Sequence, residues 1–183
     1  MEGFKSINIF LLKVFGFYLF WFISDEYLSH NFIFYNKAWT FFYHILIVSA
    51  NHLSVFFLDL VGYDVVHNYR SIAVVGSFGV TIGNYCAGFG LMYGCFALFT
   101  SYPAPIKKKL WFVPLSVFLV FLFNIGRVIF LTLNAYYSPK ETFNDQHDFF
   151  NNIIYILVFV LWVLWIKFII PTKQVKESKL SVN

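Results

Sequence analysis

Charge is what this chain has least of. Only 12% of its 183 residues are Asp, Glu, Lys or Arg, against 60% hydrophobic and 23% aromatic. A water-soluble domain of this size cannot cover its surface with so few charges, so the composition excludes one and indicates a polytopic membrane protein. Cysteine is equally scarce: Cys86 and Cys95 are the whole inventory. Nine residues apart on a helix, they fall about half a turn out of phase, which argues against a disulfide between them. No CxxC, HExxH or Cys/His cluster with metal-ligand spacing occurs, and no GxSxG-like serine turn, so neither metal nor cofactor is expected. Basic residues are not interleaved with aromatics over any useful length, which removes nucleic acid as a partner.

Long apolar runs are what the chain does have. Ile7–Ile23, Tyr85–Ser101, Leu110–Tyr136 and Phe149–Ile170 each approach the roughly 20 residues that cross a bilayer. The first is followed by Ser24-Asp25-Glu26 without a small-x-small cleavage site, so it reads as a retained helix. Lys107-Lys108-Lys109 and Lys173, Lys176 and Lys179 mark cytoplasmic ends by the positive-inside rule. The Tyr85 helix then runs inward, the Leu110 helix outward and the Phe149 helix inward again. The Tyr136–Asp148 connection becomes external, and in it Glu141, Asp145 and Asp148 outnumber Lys140.

Residues 38–60 are ambiguous. Lys37, His44, Asn51, His52 and Asp59 cluster within about 80° of a helical wheel, with Phe42, Leu46, Leu53 and Phe57 roughly opposite. Such a helix either lies along the outer interface, the reading favoured here, or spans with its polar face turned into the bundle. Gly62–Gly83 is too punctuated for a helix. Ser71–Val75 and Val80–Ile82 flank Gly76-Ser77-Phe78-Gly79 as a small hairpin. The expected fold is therefore an all-α integral membrane protein of four to five transmembrane helices, with a short external β-hairpin before the cysteine helix. Residues 1–172 form one membrane-embedded domain and 173–183 a cytoplasmic basic tail.

Three reactive residues converge on the outer face of that topology. With Asn84 as N-cap, Cys86 falls in the first turn of its helix, where free N–H groups favour a thiolate. Arg127 sits in an apolar segment, where an arginine costs roughly 2.5–3.5 kcal/mol at the centre, and Asn124 and Asn134 share its side of the helix. A fixed positive charge there suits a thiolate or the oxyanion formed when a thiolate attacks a carbonyl. His147, at the outer edge of the last helix, has the position of a general base and acid. His44 and His52 compete for that role. Cys95 reads as a packing residue, and Gly88, Gly90 and Gly94 with Ala87 as close helix packing.

Cys86-Ala87-Gly88 opening one membrane helix, Asn124-Ile125-Gly126-Arg127-Val128 in the next and an outer His147 before the last together resemble the exosortase/archaeosortase family. The resemblance runs from about Gly62 to Ile170. It implies a membrane cysteine transpeptidase, with Cys86 as nucleophile, Arg127 stabilising the transition state and His147 carrying the proton. Asn84 and Asn124 are the supporting polar residues. The implied partners are exported proteins with a C-terminal sorting signal, the lipid bilayer and an amine or lipid-linked acceptor. The implied location is the bacterial inner membrane, multi-pass, with the site on the extracytoplasmic side. The chain departs from the family pattern after His147: Asn151-Asn152 stand where a small residue is expected. The competing reading is a non-catalytic assembly factor or export-complex subunit, in which Arg127 pairs with a lipid or partner helix.

Overall fold

The computed structural model describes residues 2–138 and 143–169, without the side chains of 2–6, Tyr85, 143–151 and 168–169. The expected tail at 173–183 and the loop charges Lys140 and Glu141 lie outside that description, as do the side chains of Asp145 and Asp148, whose backbone belongs to a last helix that begins at Phe143 and not at Phe149.

Helix α1 (Glu2–Phe22) passes through a π-helical segment, Ile23–Leu28, into a short turn, α2 (Ser29–Asn31). Phe32, extended at φ −121° and ψ 113°, breaks the chain there, and α3 (Ile33–Val61) follows. Gly62 ends α3 in the left-handed region at φ 95°, donating its N–H to Asp59 O. Three strands come next: β1 (Val65–His67), β2 (Ser71–Val74) and β3 (Val80–Thr81), antiparallel in the order β1-β2-β3. A 3₁₀ turn, Tyr85–Ala87, leads into α4 (Phe89–Ser101), then α5 (Ile106–Tyr137) and α6 (Phe143–Ile169). The expected hairpin is present, and β1 extends it to a three-stranded sheet.

Among the described residues three helical stretches are long and apolar enough to cross a membrane: Ile7–Asn31, Ile33–Leu60 and Ile106–Tyr137. The apolar parts of α4 and α6 are shorter, so the expected count of four to five spans is not reproduced by length alone. Aromatic pairs set the directions. Phe10 meets Tyr102, Phe17 meets Tyr93 and Trp21 meets Phe89, so α1 and α4 are antiparallel. Phe112, near the start of α5, lies tilted against Trp165, near the end of α6, at 4.5 Å between ring centres, so α5 and α6 are antiparallel too. Helix α3 runs beside the C-terminal half of α5 in the same direction, and the Tyr63 and Tyr137 hydroxyls meet at 2.8 Å beyond their ends.

Length and composition make α3 a candidate span, as the second expectation for residues 38–60 has it, but with a different face turned inward. Its buried face is Tyr43, Ile47, Ala50, Asn51, Ser54, Val55 and Leu58, packed on α5 and the sheet. Lys37, His44, His52 and Asp59 remain exposed, so the polar stripe is not turned into the bundle. Asn51 alone of that stripe points inward, and it donates to Asn68 O at 2.7 Å and to Ser71 O at 3.3 Å. Two main-chain carbonyls thus receive its NH2 group, while its Oδ1 has no hydrogen-bond partner among the described residues.

Two cores are stacked along α5. One joins Met92, Cys95 and Phe99 to Phe112, Val113, Val120, Leu161 and Trp165. The other joins Ile47, Val55 and Leu58 to Ile72, Val80, Ile82, Val128, Leu131 and Ala135. Cys86, Asn124 and Arg127 fall where one core gives way to the other.

Candidate active site

Helix α5 is the ruler for the site. Arg127 stands twenty positions beyond Lys107, about 30 Å along the axis, which is the thickness of a bilayer's hydrocarbon. Its side chain is only 6% exposed. It is directed at the 3₁₀ turn that precedes α4, and its Nη2 donates to Cys86 Sγ at 3.8 Å. One turn earlier on the same face, Asn124 Nδ2 donates to Cys86 O at 3.0 Å. The thiol and its own carbonyl are thus both held from α5.

The local backbone differs from the expectation here. Cys86 is not in the first turn of α4. Gly88, left-handed at φ 74°, occupies the N-cap position, and the helix begins after it. Asn84 makes no side-chain cap bond, because its Oδ1 accepts instead from Arg70 Nη2 at 3.1 Å. The dipole of α4 therefore does not act on Cys86 as a first-turn residue. The positive group at the thiol is the Arg127 guanidinium, which carries its charge at any working pH. Glycine at 88 has two reasons. The left-handed backbone favours it, and a Cβ there would come within 3.3 Å of Asn124 Cγ.

A cavity of about 460 Å³ opens on this group, lined among others by Trp21, Asp25, Tyr43, Cys86, Asn124 and Arg127. Asn124 Oδ1 is buried in its wall with no hydrogen-bond partner among the described residues. Such an acceptor is costly unless something bound in the cavity completes it. Asp25 brings a carboxylate to the same cavity, its Oδ1 accepting from Trp39 Nε1 at 2.7 Å and from Tyr43 OH at 3.4 Å. Sequence reasoning passed over Asp25 as the polar end of the first apolar stretch. The π-helical segment that carries it, a form of backbone enriched at functional sites, has no sequence signature.

His147 lies on α6 seven positions before Ile154, hence on the same side of that helix and about 10 Å further along. Ile154 lines the cavity, while the His147 side chain falls outside the described residues. The rival histidines stand elsewhere: His44 beside Tyr69 and His52 beside His67, neither lining the Cys86 cavity. Cys86 and Cys95 are both free thiols, and Cys95 is buried in the other core. No group of three or more His, Cys, Asp or Glu suited to a metal occurs among the described residues.

Long apolar helices around a half-buried thiol and a buried arginine define a membrane protein with a cysteine-centred polar site. The sequence model of the transmembrane exosortases matches residues 11–164, most of the chain, and the protein belongs to that family. No curated protein and no solved structure matches it.

Proposed function

We propose that the protein is a membrane cysteine transpeptidase acting on the C-terminal sorting tail of exported proteins. The observation that carries the reading is the pairing of Cys86 Sγ with Arg127 Nη2 at 3.8 Å on the wall of a cavity. Family membership supports it.

In this reading the Cys86 thiolate attacks the carbonyl carbon of the scissile peptide bond, and the carbonyl oxygen takes up the negative charge. Arg127, next to the sulfur and unable to lose its proton, is placed to hold that oxyanion. The C–N bond breaks as the leaving amine receives a proton, which we assign to His147, and a thioester remains on Cys86. An amine or lipid-linked acceptor then attacks the thioester carbonyl, loses its proton to the same base and releases the Cys86 thiolate. Asn124 takes no part in proton transfer. It fixes the Cys86 carbonyl, and so the direction of the sulfur, from the helix that also carries Arg127. The site faces the extracytoplasmic side, because Lys107-Lys108-Lys109 mark the opposite end of α5.

The test is processing in cells of an exported reporter bearing a C-terminal tail from the same genome. Cys86→Ala should leave the uncleaved precursor in the membrane. Arg127→Ala should slow processing by about 10²–10³, the size of one lost oxyanion donor. Normal processing by both variants at normal protein levels would leave the protein as a non-catalytic membrane subunit.

A further inference from the structure

Strand β3 is an edge strand, and it leads directly to the candidate nucleophile. In an antiparallel ladder alternate residues turn their N–H and C=O to opposite sides. Asn68 N–H bonds Ser71 O and Val75 N–H bonds Asp64 O, both at 2.9 Å, so Ser71 and Ala73 serve β1. Arg70 and Ile72 are left for β3, and Ile82 N–H indeed donates to Arg70 O at 2.8 Å. With Ile72 opposite Val80 and Ser71 opposite Thr81, the main chain of Thr81 points away from β2, toward the open edge. Its side chain does not obstruct that edge, since Thr81 Oγ1 sits 3.0 Å from Ser71 Oγ on the exposed face of the sheet.

A second cavity, of about 340 Å³, runs beside this edge and ends at the thiol. Phe78, Val80 and Thr81 line it on the strand side, and Cys86, Arg127 and Leu131 complete it. Cys86 and Arg127 thus line both cavities. An unpaired strand edge is not tolerated in hydrocarbon, so this edge belongs on the aqueous side of the site. Such an edge is also a template for an extended chain.

We infer that the cleavable segment of the substrate docks in extended form as a fourth strand on the open edge of β3, exchanging main-chain hydrogen bonds with Thr81 and following the cleft to Cys86. The inference rests on the transpeptidase reading and adds how that site recognises its substrate. Main-chain pairing at the edge sets the register of the scissile bond against the sulfur. Only every second residue of the substrate turns its N–H toward β3. Side chains directed at Val128 and Leu131 on the α5 floor meet an apolar surface.

The experiment uses the full-length protein in lipid nanodiscs and a synthetic tail peptide labelled on both sides of the cleavage point. N-methylation at successive residues should cut kcat/KM by about tenfold at the one residue that pairs with Thr81, and leave its two neighbours nearly unchanged. Thr81→Pro, which removes the outward N–H without touching the ladder, should raise KM by a similar factor. The rate of Cys86 alkylation should stay at the wild-type value in that variant. Cleavage that is indifferent to N-methylation and to Thr81→Pro overturns the docking mode while leaving the transpeptidase reading intact. A benzophenone side chain at position 78 of a Cys86→Ala variant separates the converse case. Cross-linking to the peptide that Thr81→Pro abolishes, with no cleavage by the wild type, would keep the docking mode and remove the chemistry. Neither cross-linking nor cleavage would remove both.

Discussion

Asn124 and Gly88 hold the thiol turn between them, and each can be tested alone. Asn124 Nδ2 supplies the 3.0 Å bond to Cys86 O, from a residue that is 1% exposed. Asn124→Leu fills the same space without a donor and leaves the Cys86 carbonyl unmatched. We expect substrate processing to fall about tenfold while the protein remains in the membrane at its normal level. Gly88→Ala acts on the backbone instead. A left-handed alanine costs about 1–2 kcal/mol, and its Cβ presses on Asn124. A lowered unfolding temperature in detergent, together with slower alkylation of Cys86, is the expected result. Arg127→Lys tests the shape of the cation: a lysine keeps the charge without the planar fork, so it should recover only a small part of the processing lost in Arg127→Ala.

The sheet owes its place to Asn51, which ties α3 to the ends of β1 and β2 through Asn68 O and Ser71 O. Asn51→Leu leaves Asn68 O without that donor, while Ser71 O keeps the Asn68 N–H, at a cost of about 1–3 kcal/mol. Limited proteolysis between residues 62 and 83 should then quicken, while helices α4 and α5 stay protected. How far such elements were legible in the sequence depends on what positions them. Strands β2 and β3 were readable because apolar stretches flank a turn bounded by glycines, and Gly79 at φ 72° turns there as required. Strand β1 was not, since Val65-Val66-His67 is too short to show alternation and forms only because β2 is beside it. The start of α4 was misplaced for a related reason. Asn84 has the chemistry of a cap, but Arg70, fourteen residues away, takes its oxygen, and no local pattern announces that. Arg127 was the clearest of all, because a guanidinium in an apolar helix needs a partner wherever the chain supplies one. The pairing with Cys86 depended only on two helices bringing their ends to the same level.

That level is a property of the whole molecule. Along α5 the lysine triplet, the Met92–Trp165 core, the Cys86 site and the Ile47–Ala135 core follow one another in order. Helix α5 has 32 residues, about 48 Å, well beyond the roughly 30 Å of hydrocarbon. If Lys107 marks one boundary, Arg127 falls at the other, and the last turns of α5, the end of α3 and the sheet stand in water. In that placement an open strand edge is sustainable, and an arginine need not be buried in lipid to sit beside the thiol. It also makes a prediction that does not depend on catalysis. In intact cells a membrane-impermeant maleimide should label Cys86, whereas Cys95, buried 1% exposed in the other core, should stay unlabelled until the protein is unfolded. A cysteine placed at Lys108 in a Cys86→Ala background should react only after the membrane is opened. Labelling of position 108 from outside would invert the molecule, put the site in the cytoplasm and remove exported tails from the substrates it can reach.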